Sequence, residues 1–127
     1  MPPLVAVVDD DIAVRESLES LIRSVGLEVT LSGSAEEFLS SNHPRKADCL
    51  ILDVRLPGMS GIELQRHLVA QKSGVPVIFV TAHGLDHRAR SQAASDWTVA
   101  YLTKPFGEDE FLDAINAALQ WRRRGQG

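Results

Sequence analysis

The sequence predicts an α/β protein, a doubly wound parallel sheet with helices on both faces. Short apolar runs of strand length alternate five times with amphipathic stretches of helical period. Four of the short runs are apolar at consecutive positions, which is typical of strands buried on both faces, whereas residues 28–32 alternate, with Val29 and Leu31 on one face. Glycine or proline marks several of the junctions between them. Together these features indicate five strand–helix units in series, a (βα)5 arrangement.

The individual elements follow from periodicity and from the residues that begin and end helices. The strands are predicted at residues 4–8, 28–32, 49–52, 77–80 and 99–102. The helices are predicted at residues 14–25, 34–39, 62–69, 85–97 and 108–121. Gly26 stands where the first helix would end, and capping-box patterns at Ser34 and Ser60 begin the next two. The polar segment 42–46 contains Pro44 and is predicted to be a loop.

The size and charge of the chain indicate one domain. Its 127 residues are enough for one core, predicted over residues 1–121, with 122–127 as a tail or the start of a linker. The net charge of −4 argues against direct binding to nucleic acid or membranes. The single cysteine, Cys49, allows no internal disulfide, and no apolar run reaches the length of a membrane span. We therefore expect a cytoplasmic protein.

Polar residues that could perform chemistry follow four of the predicted strands. Asp9 and Asp10 follow the first strand, Asp53 the third, Thr81 the fourth and Lys104 the fifth. In open parallel sheets, ligands bind at the carboxyl ends of the strands, where the strand order reverses. If the order is 2-1-3-4-5, strands one and three are neighbours at that point, and the three aspartates converge.

Three carboxylates in one crevice repel one another and predict a bound cation. Without a cation, at least one acid would have a raised pKa and stay protonated. Mg²⁺ commonly takes one or two carboxylates together with water and phosphate oxygens. Single aspartates here could instead be structural, since Asp11 can cap the first helix and Asp53 could form the turn before Pro57. Asp9 and Asp10 fit capping poorly, because acids at the end of a buried strand need a partner.

The same residues supply what phosphoryl transfer requires. A carboxylate can attack a phosphoryl group to form an acyl phosphate, and the main requirements are charge neutralisation and positioning. A metal would neutralise one side of the group and Lys104 the other, while the Thr81 hydroxyl could donate to a third oxygen. Lys104 could instead be an ordinary surface lysine, but it follows a buried strand and precedes the rigid Pro105.

Four separated segments resemble the receiver domains of two-component response regulators. They are VVDDD at residues 7–11, LILDVRLPGMSGIEL at 50–64, VIFVTA at 77–82 and YLTKPF at 101–106. The segments occur in the family's order and at matching spacing, and the likeness extends over residues 4–119. The resemblance implies a flavodoxin-like fold with strand order 2-1-3-4-5. Within the family, the sequence looks most like receivers joined to LuxR-type helix-turn-helix outputs.

The resemblance implies a phosphoacceptor and a metal site. Asp53 would accept the phosphoryl group. Asp10, Asp53 and the backbone carbonyl of Arg55 would hold Mg²⁺, or Mn²⁺, directly, and Asp9 would act mainly through water. The side chain of Arg55 would also modulate the rates of the reaction.

The resemblance further implies residues that respond to phosphorylation. Lys104 would sense the phosphate and form a cis peptide bond with Pro105. Thr81 would be the switch hydroxyl and Tyr101 the aromatic switch residue. His83 lies two residues after Thr81 and would be a second modulator of rates.

The implied partners are those of a signalling protein. The phosphoryl donor would be the phosphohistidine of a sensor histidine kinase or a small phosphodonor. The chain would catalyse only its own phosphorylation and slow dephosphorylation, so it would not be a turnover enzyme. Phosphorylation would change the face formed by the helix at 85–97, the fifth strand and the last helix. A homodimer through that face or through the first and last helices, and a C-terminal DNA-binding output domain, are further partners to consider.

One region departs from the family. Receivers usually carry a small Gly-Ala pair before the fifth strand, whereas residues 91–101 contain no glycine and include the bulky Trp97. The region is about one residue longer than the family's usual spacing. We therefore expect a short or mobile helix at 85–97, with Trp97 either filling a gap beside the alanine face of that helix or exposed for a partner.

Three other functions fit parts of the pattern. An aspartyl-phosphate hydrolase of the haloacid-dehalogenase type needs Asp-x-Asp after its first strand, which Asp9 and Asp11 supply, but it also needs a cap domain and has no role for Asp53. A flavodoxin-like cofactor binder needs a hydroxyl- or glycine-rich phosphate loop, where this chain has three acids. A degenerate receiver used only for docking would not need the catalytic positions, which are all intact here.

Overall fold

The structure is a computed structural model, which describes residues 2–41, 43–82 and 97–125. Five parallel strands form one sheet in the order β2-β1-β3-β4-β5. The strands are β1 (Leu4–Val8), β2 (Glu28–Ser32), β3 (Cys49–Asp53), β4 (Val77–Thr81) and β5 (Thr98–Thr103). The predicted fold class and strand order are confirmed, and every predicted strand is present.

Helices connect the strands and follow the last one. They are α1 (Ile12–Ser24), α2 (Ala35–Ser40), α3 (His43–Lys46), α4 (Gly61–Ala70) and α5 (Glu108–Gly125). The prediction of a loop was wrong for residues 43–46, because α3 forms one helical turn there. Pro44 is tolerated since the first turn of a helix needs no N–H donor. α5 continues past the predicted end at Trp121. In the part of the chain that the structure describes, no helix is long and apolar enough to cross a membrane.

The sheet carries an apolar core on each face. α1 and α5 pack on one face, where Ile22 and Phe111 are fully buried. α2 and α4 pack on the other face, where Phe38 and Leu64 are fully buried. β3 is buried along its whole length, which explains its consecutive apolar residues. This double covering leaves the carboxyl ends of the strands as an open edge.

The helix ends follow the predicted capping signals closely. The Asp11 side chain caps α1 by accepting from the N–H groups of Ala13 and Val14, at 2.9 and 3.4 Å. Ser60 and Glu63 form the full reciprocal capping box of α4. At α2 the Ser34 hydroxyl accepts from the Glu37 N–H, but the Glu37 carboxylate accepts from Gly33 N instead of Ser34 N. These caps fix where each helix leaves the sheet edge.

A bulge in β5 sets the register of the last strand. Val77 pairs with Thr98, but the next residue of β4, Ile78, pairs with Ala100, so Val99 is an extra residue. Beyond the bulge the pairs are Phe79 with Tyr101, Val80 with Leu102 and Thr81 with Thr103. The bulge therefore decides which side chains of β5 face each core.

Trp97 begins the described part of the chain before β5. It is half-buried, and its ring packs edge-to-face against Trp121 of α5, with ring centroids 5.1 Å apart. Its carbonyl accepts from Val77 N at 2.7 Å. The helix expected at 85–97 otherwise lies outside the described residues, so the expectation for it stays a prediction.

Candidate functional site

A cavity of about 240 Å³ opens at the carboxyl ends of β1, β3 and β4. It is lined by Asp9, Asp10, Asp11, Asp53, Arg55, Thr81, Ala82 and Lys104. The structure thus brings together the acids, the hydroxyl and the lysine that the sequence placed at the ends of separate strands. This convergence follows from the strand order, because β1 and β3 are neighbours.

Asp9 is the most constrained acid of the site. Its side chain is fully buried, Oδ1 accepts from Asp11 N at 2.9 Å and Oδ2 accepts from Lys104 Nζ at 2.7 Å. Its backbone N–H donates to Ser32 O at 3.1 Å, and Arg15 Nη1 donates to its carbonyl at 2.7 Å. Asp9 is therefore fixed from α1, β2 and β5 at once. The contribution of Arg15 was missed in the sequence, although its position on the first turns of α1 could have suggested it.

Asp53 is nearly buried but still lines the cavity. Its Oδ1 accepts from Arg55 N at 2.9 Å, and its Oδ2 lies 3.3 Å from Lys104 Nζ. Burial raises the pKa of Asp53, and the charge of Asp9 adds to this, whereas the Arg55 N–H and the Lys104 ammonium act in the opposite direction. The carboxyl of Asp53 is thus more easily protonated than an ordinary aspartate.

Gly61 lets α4 begin directly against the strand that carries Asp53. A Cβ on Gly61 would lie 2.1 Å from the backbone carbonyl oxygen of Asp53, far inside van der Waals contact. Gly61 N donates to Val54 O at 3.0 Å, which closes the loop after β3. The need for glycine at residue 61 depends on the packing of α4 against β3, which the sequence alone does not show.

Lys104 joins the two buried acids to the last strand. Its backbone N–H donates to Thr81 O at 2.7 Å, and its peptide bond with Pro105 is cis, as predicted. Burial alone would lower the pKa of Lys104, but the hydrogen bond to Asp9 and the charges of Asp53 and Asp9 outweigh it and raise the pKa. Lys104 is therefore a stable cation at neutral pH.

Three carboxylates meet in the cavity as a candidate metal site. Asp9, Asp10 and Asp53 each offer an oxygen, and these oxygens lie within 4.8 Å of one another. Asp10 is exposed at the mouth of the cavity, and the other two are buried. The donors are all hard oxygens, which suit Mg²⁺ or Mn²⁺, and one lysine balances only part of their charge. The residues present thus fit a divalent cation.

The remaining predicted site residues lie at different distances from this cavity. Thr81 is buried at the end of β4 and lines the cavity. Arg55 is exposed at its rim. Tyr101 does not line it; the ring is half-buried and stacks on Phe79, with centroids 5.9 Å apart. His83 lies outside the described residues.

Comparison with known proteins agrees with the fold. The family model of the response regulator receiver domain matches residues 5–116. Nodulation protein W of Bradyrhizobium diazoefficiens is 47% identical over 121 residues, which are 95% of this chain and 53% of that protein. Response regulator protein TodT of Pseudomonas putida is 44% identical over 117 residues, which are 92% of this chain and 51% of that protein.

A solved structure extends the agreement to three dimensions. The response regulator StyR matches with a TM-score of 0.86 and 44% identity, over 99% of this chain and 63% of that chain. The chain spans about half the length of the curated relatives that it matches, at 53% and 51%. The resemblance predicted from four sequence segments is confirmed: the chain belongs to the family of response regulator receiver domains.

Proposed function

We propose that this receiver domain is a phosphoacceptor switch in a two-component phosphorelay, with Asp53 as the phosphorylated residue. The observation that carries the proposal is the position of the Asp53 carboxylate. It lines the cavity, lies 3.3 Å from Lys104 Nζ and shares the cavity with Asp9 and Asp10. A carboxylate nucleophile needs such access, together with positive charge at the oxygens of the incoming group.

A divalent cation, Mg²⁺ or Mn²⁺, would complete the site. Asp10, Asp53 and the backbone carbonyl of Arg55 would hold it directly. Asp9 would act through water, as the family resemblance implies; its two carboxylate oxygens accept hydrogen bonds from Asp11 N and from Lys104. When bound, the ion supplies positive charge that offsets the acids and the phosphoryl oxygens.

The chain's own residues divide the transfer between them. The Arg55 N–H holds Oδ1 of Asp53, so we assign the attack to Oδ2. This oxygen bonds to phosphorus as the phosphorus–nitrogen bond of a kinase phosphohistidine breaks and the imidazole leaves. Lys104 and the Thr81 hydroxyl then pair with phosphoryl oxygens. Hydrolysis of the aspartyl phosphate would reset the switch. The domain would catalyse only its own phosphorylation and dephosphorylation and would not be a turnover enzyme. Arg55 and His83 would modulate the rates of these two reactions.

Phosphorylation would change the surface of the domain around β5. Thr81 would turn its hydroxyl towards the phosphoryl group, and Tyr101 would move inward beside it. The ring of Tyr101 is packed on Phe79 at the edge of the core, so its movement would alter the face formed by β5, α5 and residues 85–97. A changed environment of Tyr101 on binding beryllofluoride, observed by NMR, supports this; an unchanged one counts against it.

The proposed partners follow from this role. The phosphoryl donor is a sensor histidine kinase or a small phosphodonor. The output is a DNA-binding domain of the LuxR type, C-terminal to the receiver, in keeping with relatives that are about twice as long. A homodimer through the face that changes, or through α1 and α5, would be a second way to pass on the signal. The cytoplasmic location stays a prediction.

The arrangement of Asp11 disfavours the rival hydrolase. That mechanism would use Asp11 as a general acid next to Asp9 as nucleophile. Asp11 instead caps α1 through Ala13 N and Val14 N, and Asp9 is buried and paired with Lys104. Neither acid is placed for the role that the hydrolase requires.

Phosphorylation in solution tests the proposal. Acetyl phosphate with Mg²⁺ should increase the intact mass of the wild type by one phosphoryl group, and EDTA should prevent it. Asp53→Asn should gain nothing under the same conditions. A phosphorylated Asp53→Asn protein, or an unmodified wild type, would show that the assignment is wrong.

A further inference from the structure

We propose that Glu36 is a positioning residue for the metal site, because it holds the loop that carries the Arg55 carbonyl. The inference rests on the proposed function. The loop covers residues 54–60, between β3 and α4. Its base is fixed by backbone bonds, since Val54 N donates to Val80 O at 3.2 Å and Gly61 N donates to Val54 O at 3.0 Å.

The tip of this loop is bonded to α2. Met59 N donates to Glu36 Oε2 at 2.9 Å, although 23 residues separate the two in the sequence. This N–H stabilises the carboxylate and lowers the pKa of Glu36, so the acceptor is charged at neutral pH. Hydrogen bonds to a charged acceptor are stronger than those between neutral groups. Glu36 therefore ties the loop to a different part of the chain.

Gly58 shapes the loop around the same carboxylate. Its φ of +74° is a left-handed conformation that favours glycine. A Cβ on Gly58 would lie 2.7 Å from Glu36 Oε2. The carboxylate of Glu36 thus occupies space that a side chain on residue 58 would need, and the contact extends beyond the single bond to Met59.

Glu36 projects from a firmly anchored helix. The Ser34 hydroxyl caps α2 by accepting from Glu37 N at 3.0 Å, and Ala35 and Phe38 are fully buried in the core. A group on such a base can restrict the conformations of the loop that it holds.

The backbone of Arg55, at the start of the loop, is fixed by a hydrogen bond to Asp53. Its N–H donates to Asp53 Oδ1 at 2.9 Å. The segment from Arg55 to Met59 is therefore fixed at both ends, by Asp53 and by Glu36. Residues that orient a metal ligand contribute to metal affinity without contacting the ion. We infer this role for Glu36 towards the Arg55 carbonyl.

Two measurements on matched variants test the inference. Calorimetric titration gives the Mg²⁺ affinity, and hydrogen–deuterium exchange of the metal-free protein gives the protection of the Met59 amide. Glu36→Ala should expose the Met59 amide and weaken Mg²⁺ binding on the order of tenfold, the lower end of losses for such residues. Glu36→Gln keeps an acceptor oxygen and should lie between the wild type and Glu36→Ala.

The neighbouring acid provides the control. Glu37→Ala removes an equal charge from the same helix, but Glu37 bonds Gly33 N at 3.0 Å and does not bond the loop. It should leave both measurements unchanged.

The outcomes separate this inference from the function on which it rests. Unchanged Mg²⁺ affinity in Glu36→Ala, or an equal loss in Glu37→Ala, overturns the role of Glu36 and leaves the phosphoacceptor function intact. A wild type that binds no Mg²⁺ overturns the metal site, and with it the role of Glu36.

Discussion

Lys104 lies closer to Asp9 than to Asp53: its Nζ is 2.7 Å from Asp9 Oδ2 and 3.3 Å from Asp53 Oδ2. One cation thus serves two buried carboxylates, while a third acid, Asp10, belongs to the same cluster. The site without a metal carries an excess of negative charge. We expect its charge balance to affect both stability and phosphorylation.

Removing the positive charge of Lys104 should destabilise the protein, and the effect should be largest when no metal is bound. Lys104→Met keeps most of the apolar stem but leaves Asp9 and Asp53 without a counterion. The free energy of unfolding should fall by roughly 1–3 kcal/mol, less than for a fully buried pair because the lysine is partly exposed to solvent. Urea denaturation in EDTA measures this.

Added Mg²⁺ should reduce the difference in free energy of unfolding between Lys104→Met and the wild type, since it restores positive charge to the cluster. Lys46→Met removes an exposed lysine on α3, away from the cavity, and serves as the control. Equal stability of Lys104→Met and the wild type in EDTA would mean that Lys104 does not compensate the acids.

Replacing Asp53 by a neutral residue should raise the free energy of unfolding, which is opposite to the expected effect of Lys104→Met. Burial raises the pKa of Asp53 above its ordinary value of 3.8. A carboxyl whose pKa is higher in the folded state stabilises the fold below pH 3.8, and this stability is lost as pH rises through the folded pKa. Asp53→Asn stays neutral, so at pH 7 in EDTA it should be more stable than the wild type by about 1 kcal/mol.

The pH dependence of the stability difference between Asp53→Asn and the wild type is the sharper test. The melting temperatures of Asp53→Asn and the wild type should converge as pH falls towards 3.8, where the aspartate itself becomes protonated. A variant less stable than the wild type at pH 7 would show that the interactions of the carboxylate with Arg55 N and Lys104 outweigh its burial.

The fold and the chemical residues were predictable because each depends on local pattern. Consecutive apolar residues identified four strands and alternation identified the second, and polar residues at the ends of four strands identified the site. α3 was not predicted, since one polar turn containing Pro44 looks like a loop. Arg15 and Glu36 were also missed, because their partners, Asp9 O and Met59 N, are backbone atoms, and Met59 is brought near Glu36 only by the tertiary fold.

The close approach of α4 to β3 predicts a strict requirement at residue 61. Gly61→Ala would place a Cβ against the carbonyl oxygen of Asp53, where no flexible side chain can move away. The free energy of unfolding should fall by about 3 kcal/mol, the upper range for overpacking, and phosphorylation should slow as Asp53 is displaced.

Gly107→Ala is the matched control for this substitution, because a Cβ on Gly107 meets nothing within 4 Å. Its free energy of unfolding should fall by no more than about 1 kcal/mol, the cost of alanine at a helix N-cap, and its phosphorylation rate should match that of the wild type. Equal effects of the two substitutions would rule out the steric explanation.

A buried amide lies next to the bulge in β5. Gln65 of α4 is buried, and its Nε2 donates to Thr98 Oγ1 at 2.5 Å, next to the extra residue Val99. Thr98→Val should lower the free energy of unfolding by about 1–2 kcal/mol, because it removes the acceptor from a buried donor. A double-mutant cycle with Gln65→Met should give a coupling energy, measured by urea denaturation. Additive effects would mean that the two side chains act separately.

The register of β5 was beyond sequence reasoning for a physical reason. All of residues 98–102 are small, apolar or aromatic, so shifting the pairing by one residue leaves the pattern almost unchanged. The structure contains an extra residue at Val99 relative to β4; the extra length noted near Trp97 is relative to the family's spacing and stays a prediction. The hydrogen bond between Gln65 and Thr98 lies beside this extra residue.

The phosphorylated residue can be located chemically, and this tests the central claim most directly. The wild type is treated with acetyl phosphate and Mg²⁺ and then with borohydride, which reduces an aspartyl phosphate to homoserine. Peptide mass spectrometry then identifies the converted residue. We predict homoserine at position 53, dependent on Mg²⁺ and absent in EDTA. Conversion at Asp10 or another acid, or no conversion at all, would contradict the assignment of Asp53 as the phosphoacceptor.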